Sequence, residues 1–159
     1  MNILALDAAS KTGWAIYRDG EIITGVQDFS KRRGDSNGMV YLRLIGWLES
    51  LPFKPDVVYF EQPHHRGAGT ALLLGLAAHV QSWAMRHGAE YTEVHTGTVK
   101  KAVGCASKEA VMDWFRKEYR RDPQTDDESD AAALLHYAMQ ELGVTGYTFV
   151  VGKEVDDDF

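Results

Sequence analysis

Two hydrophobic periods alternate along this chain, and the switches between them mark out its elements. Residues Asn2 to Asp7 carry a continuous apolar run, Ile-Leu-Ala-Leu, that stops at an acid; a short bounded run of this kind predicts a buried strand. Small residues from Ala8 to Thr12 make a turn, and Gly13 to Tyr17 predicts a second strand. Asp19-Gly20 is a tight-hairpin pair, because both residues tolerate positive φ. Glu21 to Phe29 is therefore expected to run back antiparallel as a third strand. After a polar, basic loop from Ser30 to Asn37, a helix over Met39 to Leu51 follows from apolar residues at Val40, Leu44, Trp47, Leu48 and Leu51. Pro52 and Pro55 end it.

Asp56 to Phe60 predicts a fourth strand that closes in Glu61. Thr70 to His87 predicts a long helix, apolar on nearly all sides between Ala71 and Val80. Such a helix is buried at the centre of the molecule or at a subunit interface; Gly75, His79 and Gln81 argue against a membrane span. Ala89 to His95 predicts a fifth strand and Thr96 to Gly104 a short helix. Ser107 is the expected N-cap of a helix carrying Ala110, Val111, Trp114 and Phe115, and Thr125 to Leu142 is the last helix. This order fits an α/β fold, a mixed five-stranded sheet flanked by helices. Residues 1–145 are read as one domain and 146–159 as an extension with an acidic tail.

Composition narrows the class. The 159 residues suit one domain, and 45% hydrophobic with 25% charged residues is globular usage that excludes disorder as the main state. Cys105 is the single cysteine, so no internal disulfide forms and a reducing compartment is expected, the cytoplasm. The apolar opening is too short for a signal peptide or a span. The net charge of -6 excludes a uniformly basic DNA-coating protein. It does not exclude a nuclease, whose site carboxylates count against the total. Basic groups cluster locally at Lys31-Arg32-Arg33, His64-His65-Arg66 and Lys100-Lys101, and again at Arg116, Lys117, Arg120 and Arg121, the last read as the outer face of a helix. For Lys31 to Arg33, a solvated hairpin exit competes with phosphate binding.

Acids stand at three chemically useful points. Asp7 ends the first strand, Glu61 ends the fourth, and Asp127 and Asp130 share a face near the start of the last helix. If the first and fourth strands are parallel neighbours, Asp7 and Glu61 emerge at one sheet edge. Hard carboxylate oxygens suit Mg²⁺ or Mn²⁺, and two such ions support phosphodiester cleavage. Each acid also has an ordinary reading. Asp7 caps a turn, and Glu61 is a strand-end acid. Asp126, Asp127 and Glu128 complement a helix dipole, with Thr125 and Glu128 fitting a capping box. Asp130 resists this best, since it lies past the first turn and faces inward.

The stretch Leu4-Ala5-Leu6-Asp7-Ala8-Ala9-Ser10-Lys11-Thr12-Gly13-Trp14-Ala15 resembles the first motif of the RuvC family of Holliday-junction resolvases, within the ribonuclease H-like superfamily. Phe60-Glu61-Gln62 resembles the second motif, Leu74-Gly75-Leu76-Ala77 the family's long interface helix, and Thr98 to Gly104 the segment with the family's lysine. Asp127-Glu128-Ser129-Asp130-Ala131-Ala132 resembles the closing motif. The resemblance spans Asn2 to Met139 in the family's order and implies a homodimeric, Mg²⁺- or Mn²⁺-dependent endonuclease nicking two opposed strands of branched, four-way DNA. Asp7, Glu61, Asp127 and Asp130 would hold two ions per site, with Asp7 bridging. Lys100, or Lys101 as its alternate, would meet the scissile phosphate. Two departures stand out: Ala8-Ala9 replaces the bacterial Pro-Gly, and Pro63-His64-His65-Arg66 stands where bacterial members carry a stacking aromatic. His64, His65 and Arg66 would still contact DNA, as would Lys31, Arg32 and Arg33. These departures suggest a bacteriophage version.

Other features carry less. His64 and His65 lack the second ligand pair that zinc needs. His136, six residues past Asp130, is expected on the helix surface rather than in a metal shell. Trp14, Trp47, Trp83 and Trp114 are expected in the core or an interface. Two readings compete with the resolvase: a ribonuclease H-like enzyme acting on RNA–DNA hybrids or precursor RNA, and a junction-binding module that does not cut. An actin-like ATPase needs a second domain that this length excludes.

Overall fold

The N-terminal apolar run forms the middle of the sheet, where burial on both faces explains its unbroken hydrophobicity. The computed structural model describes residues 1–63 and 67–150. Strands β1 (Ile3–Asp7), β2 (Lys11–Arg18) and β3 (Glu21–Asp28) form the expected meander, β2 antiparallel to both neighbours. Helix α1 (Asn37–Ser50) leads to β4 (Val57–Glu61), which lies parallel to β1. Helix α2 (Thr70–Arg86) leads to β5 (Glu90–Val94), parallel to β4. Helices α3 (Thr96–Ala102), α4 (Lys108–Tyr119) and α5 (Asp126–Glu141) follow. The sheet order is β5-β4-β1-β2-β3-β6.

Among the described residues the sheet holds six strands rather than the five expected. The addition is β6 (Thr148–Phe149), paired parallel to β3 at Glu21 and Ile22. Two residues are too short for an alternation signal, and they fall in the stretch read from sequence as an extension.

Alternation along the strands separates two cores. Ile3, Ala5, Ala15, Val57 and Tyr59 face α4 and α5, packing on Phe115, Leu134 and Leu135. Leu4, Leu6, Trp14, Ile16, Val58 and Phe60 face α1 and α2, packing on Leu44, Trp47, Val80 and Trp83. At β5 the first four residues, Glu90 to Glu93, are exposed. On α2, Leu76, Ala77, Val80, Trp83 and Ala84 are buried while Leu74 is 42% exposed, so this chain covers one side of the helix only. Among the described residues no helix is long and apolar enough to cross a membrane.

Three local expectations change. Ser107 caps α4 by accepting from the Ala110 amide, but Thr125 makes no side-chain cap and Glu128 closes no capping box. Glu128 instead turns inward, fully buried, because Arg121 and Thr24 offer it donors beneath the sheet. Arg121 is therefore drawn off the outer surface where the basic run had been placed, whereas Arg116 stays there among Asp113 and Asp122. His136 is not a surface residue. Its ring lies 4.8 Å from Trp114 and 5.6 Å from Tyr147, with Phe149 beyond, because the segment carrying β6 folds over α5. Its Nε2 is buried with no hydrogen-bond partner among the described residues, and burial pushes its pKa down to about 4.

Gly13 allows a very close approach of strand and helix. A Cβ there would stand 1.8 Å from the Asp127 carbonyl oxygen on α5. Gly13→Ala should cost roughly 1–3 kcal/mol by overpacking, read as a lower melting temperature. His136 binds its proton less readily folded than unfolded, so its contribution is present at neutral pH and lost as pH falls from 6.5 toward about 4. His136→Leu should remove that part of the acid sensitivity, as thermal melts across this range will show.

Candidate active site

Strand parity aims the first two acids. Asp7 continues the β1 face of Ile3 and Ala5, and Glu61 continues the β4 face of Val57 and Tyr59. Leu6 stands beside Phe60 in the parallel register, so Asp7 and Glu61 are the next pair outward, at the edge and on the side covered by α5. Neighbouring strands lie about 4.8 Å apart, so the two carboxylates are close from the backbone alone. The third contribution comes from the start of α5. Gly13 is the register partner of Asp7 and touches the Asp127 backbone, which brings the first turn of α5 over Asp7.

The result is a cavity of about 320 Å³ lined by Asp7, Glu61, Asp126, Asp127 and Asp130, with Lys100 and Lys108 on its wall. Thr96, at the start of α3, donates to Glu61 at 3.4 Å. Thr125 donates to Asp127 at 3.4 Å. Lys108, the first residue of α4, pairs with Asp126. That contact raises the lysine's pKa and bridges two helix N-termini.

Electrostatics report the crowding. Burial holds the Asp7 carboxyl well above the ordinary range, and the charges of Glu61, Asp130 and Asp127 push the same way. A side-chain hydrogen bond between Asp7 and Asp127 raises the pKa of the first and lowers that of the second. Burial, then the Asp130 charge, raises Glu61 to about 7 against the opposing pull of Thr96 and Lys100. Burial, then Asp126, raises Asp130 to about 6. Asp127 is raised by the same two causes in the same order. An all-carboxylate set that holds protons this tightly fits hard divalent cations such as Mg²⁺ and Mn²⁺, which replace the protons and relieve the repulsion. Among the described residues no three of these acids are already closed into a metal cluster.

All four acids named from the sequence thus line one cavity, and Lys100 joins them. Lys101, one residue on, is exposed and outside it. Lys31, Arg32 and Arg33 are exposed in the loop after β3, which leaves the sheet at this same edge, where the Phe29 amide bonds to Ser10. They do not line the cavity. His64, His65 and Arg66 lie outside the described residues. Sequence reasoning missed Lys108 and Thr96, single polar residues at helix starts with no period or motif to mark them. It named Asp127 as a ligand and read Asp126 as a helix-dipole acid, yet both reach the cavity.

The raised acids carry a linkage. Each binds its proton more tightly folded than unfolded, so stability falls as pH rises from the ordinary carboxylate range through about 6 to 7. In chelator, Asp7→Asn should raise the melting temperature at pH 8, by roughly 2–4 °C per kcal/mol relieved. The gain should shrink toward pH 5, and a gain unchanged by pH would refute the repulsion.

No protein-family model matches the sequence, and no curated protein does. The likeness is structural. Thermus thermophilus RuvC superposes with a TM-score of 0.69 at 20% identity, covering 90% of this chain and 97% of that one. The T. thermophilus RuvC complex with a Holliday junction substrate gives 0.69 and 20%, covering 90% and 96%. The Fowlpox virus resolvase with its Holliday junction DNA gives 0.52 at 13% identity, covering 89% and 99%. The chain therefore has the fold of these resolvases, a mixed ribonuclease H-like sheet with helices on both faces.

Proposed function

We propose that this protein is a structure-selective DNA endonuclease that resolves four-way junctions by paired, divalent-metal-dependent nicks. The observation that carries this reading is the convergence of Asp7, Glu61, Asp127 and Asp130, from three separate elements, on one cavity with Lys100 and Lys108. The matched structures include two resolvases described with Holliday junction DNA, which supplies the substrate class.

Two Mg²⁺ or Mn²⁺ ions bound by these carboxylates would activate a water and stabilise the leaving oxygen. Asp7, which feels the charges of Glu61, Asp130 and Asp127, would be the shared ligand, and those three acids would complete the set. Lys100 stands on the cavity wall, where an ammonium meets the charge that develops on a phosphate. Lys108 offers a second ammonium, restrained by Asp126. The exposed loop Lys31 to Arg33 supplies backbone phosphate contacts at the same sheet edge, and we assign His64, His65, Arg66 and Lys101 to the same DNA-binding role. A homodimer would supply the second nick, and exposed Leu42 and Leu74, 66% and 42% accessible on α1 and α2, support that face as its interface.

The deciding assay compares a synthetic four-way junction with linear duplex and RNA–DNA hybrid, in Mg²⁺, Mn²⁺ and chelator. Symmetric nicks in the junction alone, abolished by chelator, are expected. Asp7→Asn should lower cleavage by at least about a thousandfold, in the range of lost catalytic groups, while junction binding persists. Hybrid cleavage without junction cleavage would make the protein a ribonuclease on the same site. Binding without cutting in any metal would make it a junction-binding module.

A further inference from the structure

We propose that Glu128, Thr24 and Arg121 form a positioning clamp that sets the rotation of α5, and with it the metal affinity of the site. This rests on the reading that the cavity acids hold divalent ions. Glu128 sits between Asp127 and Asp130 in the chain yet points away from the cavity they line. It is fully buried. Its Oε1 accepts from Thr24 Oγ1 at 2.7 Å and from Arg121 Nη2 at 2.5 Å, and its Oε2 accepts from the Gln124 amide at 2.6 Å. Arg121 also donates to Thr24 at 2.8 Å and lies over the Phe115 ring at 5.0 Å.

The network therefore ties the start of α5 to β3 and to the end of α4. Successive residues of a helix are turned by about 100°, so fixing Glu128 toward the sheet fixes where its neighbours point. Asp127 and Asp130 are left facing Asp7 and Glu61. The other contacts here act differently: Gly13 sets how close α5 comes to β2, Lys108 holds the partly exposed Asp126, Thr125 makes no side-chain cap, and the Ser129 hydroxyl bonds back to the Asp126 carbonyl within the helix itself. A buried carboxylate with three donors resists rotation because any turn of the helix would strand its charge. Glu128, Thr24 and Arg121 touch neither the cavity nor a reacting group, so they are positioning residues.

The test measures Mn²⁺ binding to the full-length protein by calorimetry and by the loss of the free-Mn²⁺ paramagnetic signal, well below the melting temperature. Four variants join the wild type. Glu128→Gln and Thr24→Val loosen the clamp, and Thr24→Ser keeps its hydroxyl. Ile22→Val trims the core of the same strand without touching the clamp. Glu128→Gln is expected to weaken Mn²⁺ binding about tenfold, as loss of an outer-shell partner does. Thr24→Val should weaken it by less, Thr24→Ser should restore it, and Ile22→Val should bind as wild type despite melting earlier. If Glu128→Gln fails to fold, the Thr24 pair decides alone. Folded clamp variants with wild-type affinity would overturn the clamp, as would an equal loss in Ile22→Val. A wild type that binds no Mn²⁺ would instead overturn the metal reading beneath it.

Discussion

The contact between Gly13 and the backbone of Asp127 is the constraint on which the site depends. A strand and a helix normally keep a side chain's distance, and here they do not. The missing Cβ lets α5 descend onto β2 at the position paired with Asp7. Asp7 then meets Asp127 without either side chain reaching far. The parallel register of β1 and β4 adds Glu61 at no further cost, since a sheet delivers adjacent residues side by side. Three elements distant in sequence are thus brought to one point by backbone geometry, before any side chain chooses a rotamer.

That geometry forces together groups that repel. Burial and mutual charge both favour the protonated acids, and the hydrophobic packing on either face of the sheet supplies the free energy that holds them in place. The lysines on the cavity wall offset part of the repulsion without cancelling it, because each is already engaged or stands to one side. Under the proposed function, divalent cations would relieve this repulsion, so the charge distribution and the proposed chemistry agree.

Much of this was readable from the residues. The unbroken Ile-Leu-Ala-Leu run, the Asp19-Gly20 hairpin and the helical spacing from Val40 to Leu51 each reflect local rules, and β1 to β5 and α1 to α5 followed within a residue or two at most boundaries. The acids were legible because strand ends and the turn spacing of Asp127 and Asp130 fix direction locally. What escaped was non-local. His136 looked like a surface residue because nothing within one helical turn reveals that Tyr147 and Phe149 fold back over it. Glu128 looked like half of a capping box because its true partners, Thr24 and Arg121, lie 104 and 7 residues away. Lys108 enters the cavity by the packing of α4 on α5, which no sequence period encodes.

The outer strand β5 has a further consequence. Among the described residues no strand pairs with β5 on the side away from β4, and such a border is the kind along which folded chains polymerise into fibrils. Glu90 and Glu93 stand exposed along that border, so a second copy docking in register would bring carboxylate against carboxylate. The same two charges repel a polyanion. A border that resists an added strand therefore also resists phosphate, whereas the exposed loop of Lys31, Arg32 and Arg33 after β3 carries the opposite charge toward the other flank of the sheet.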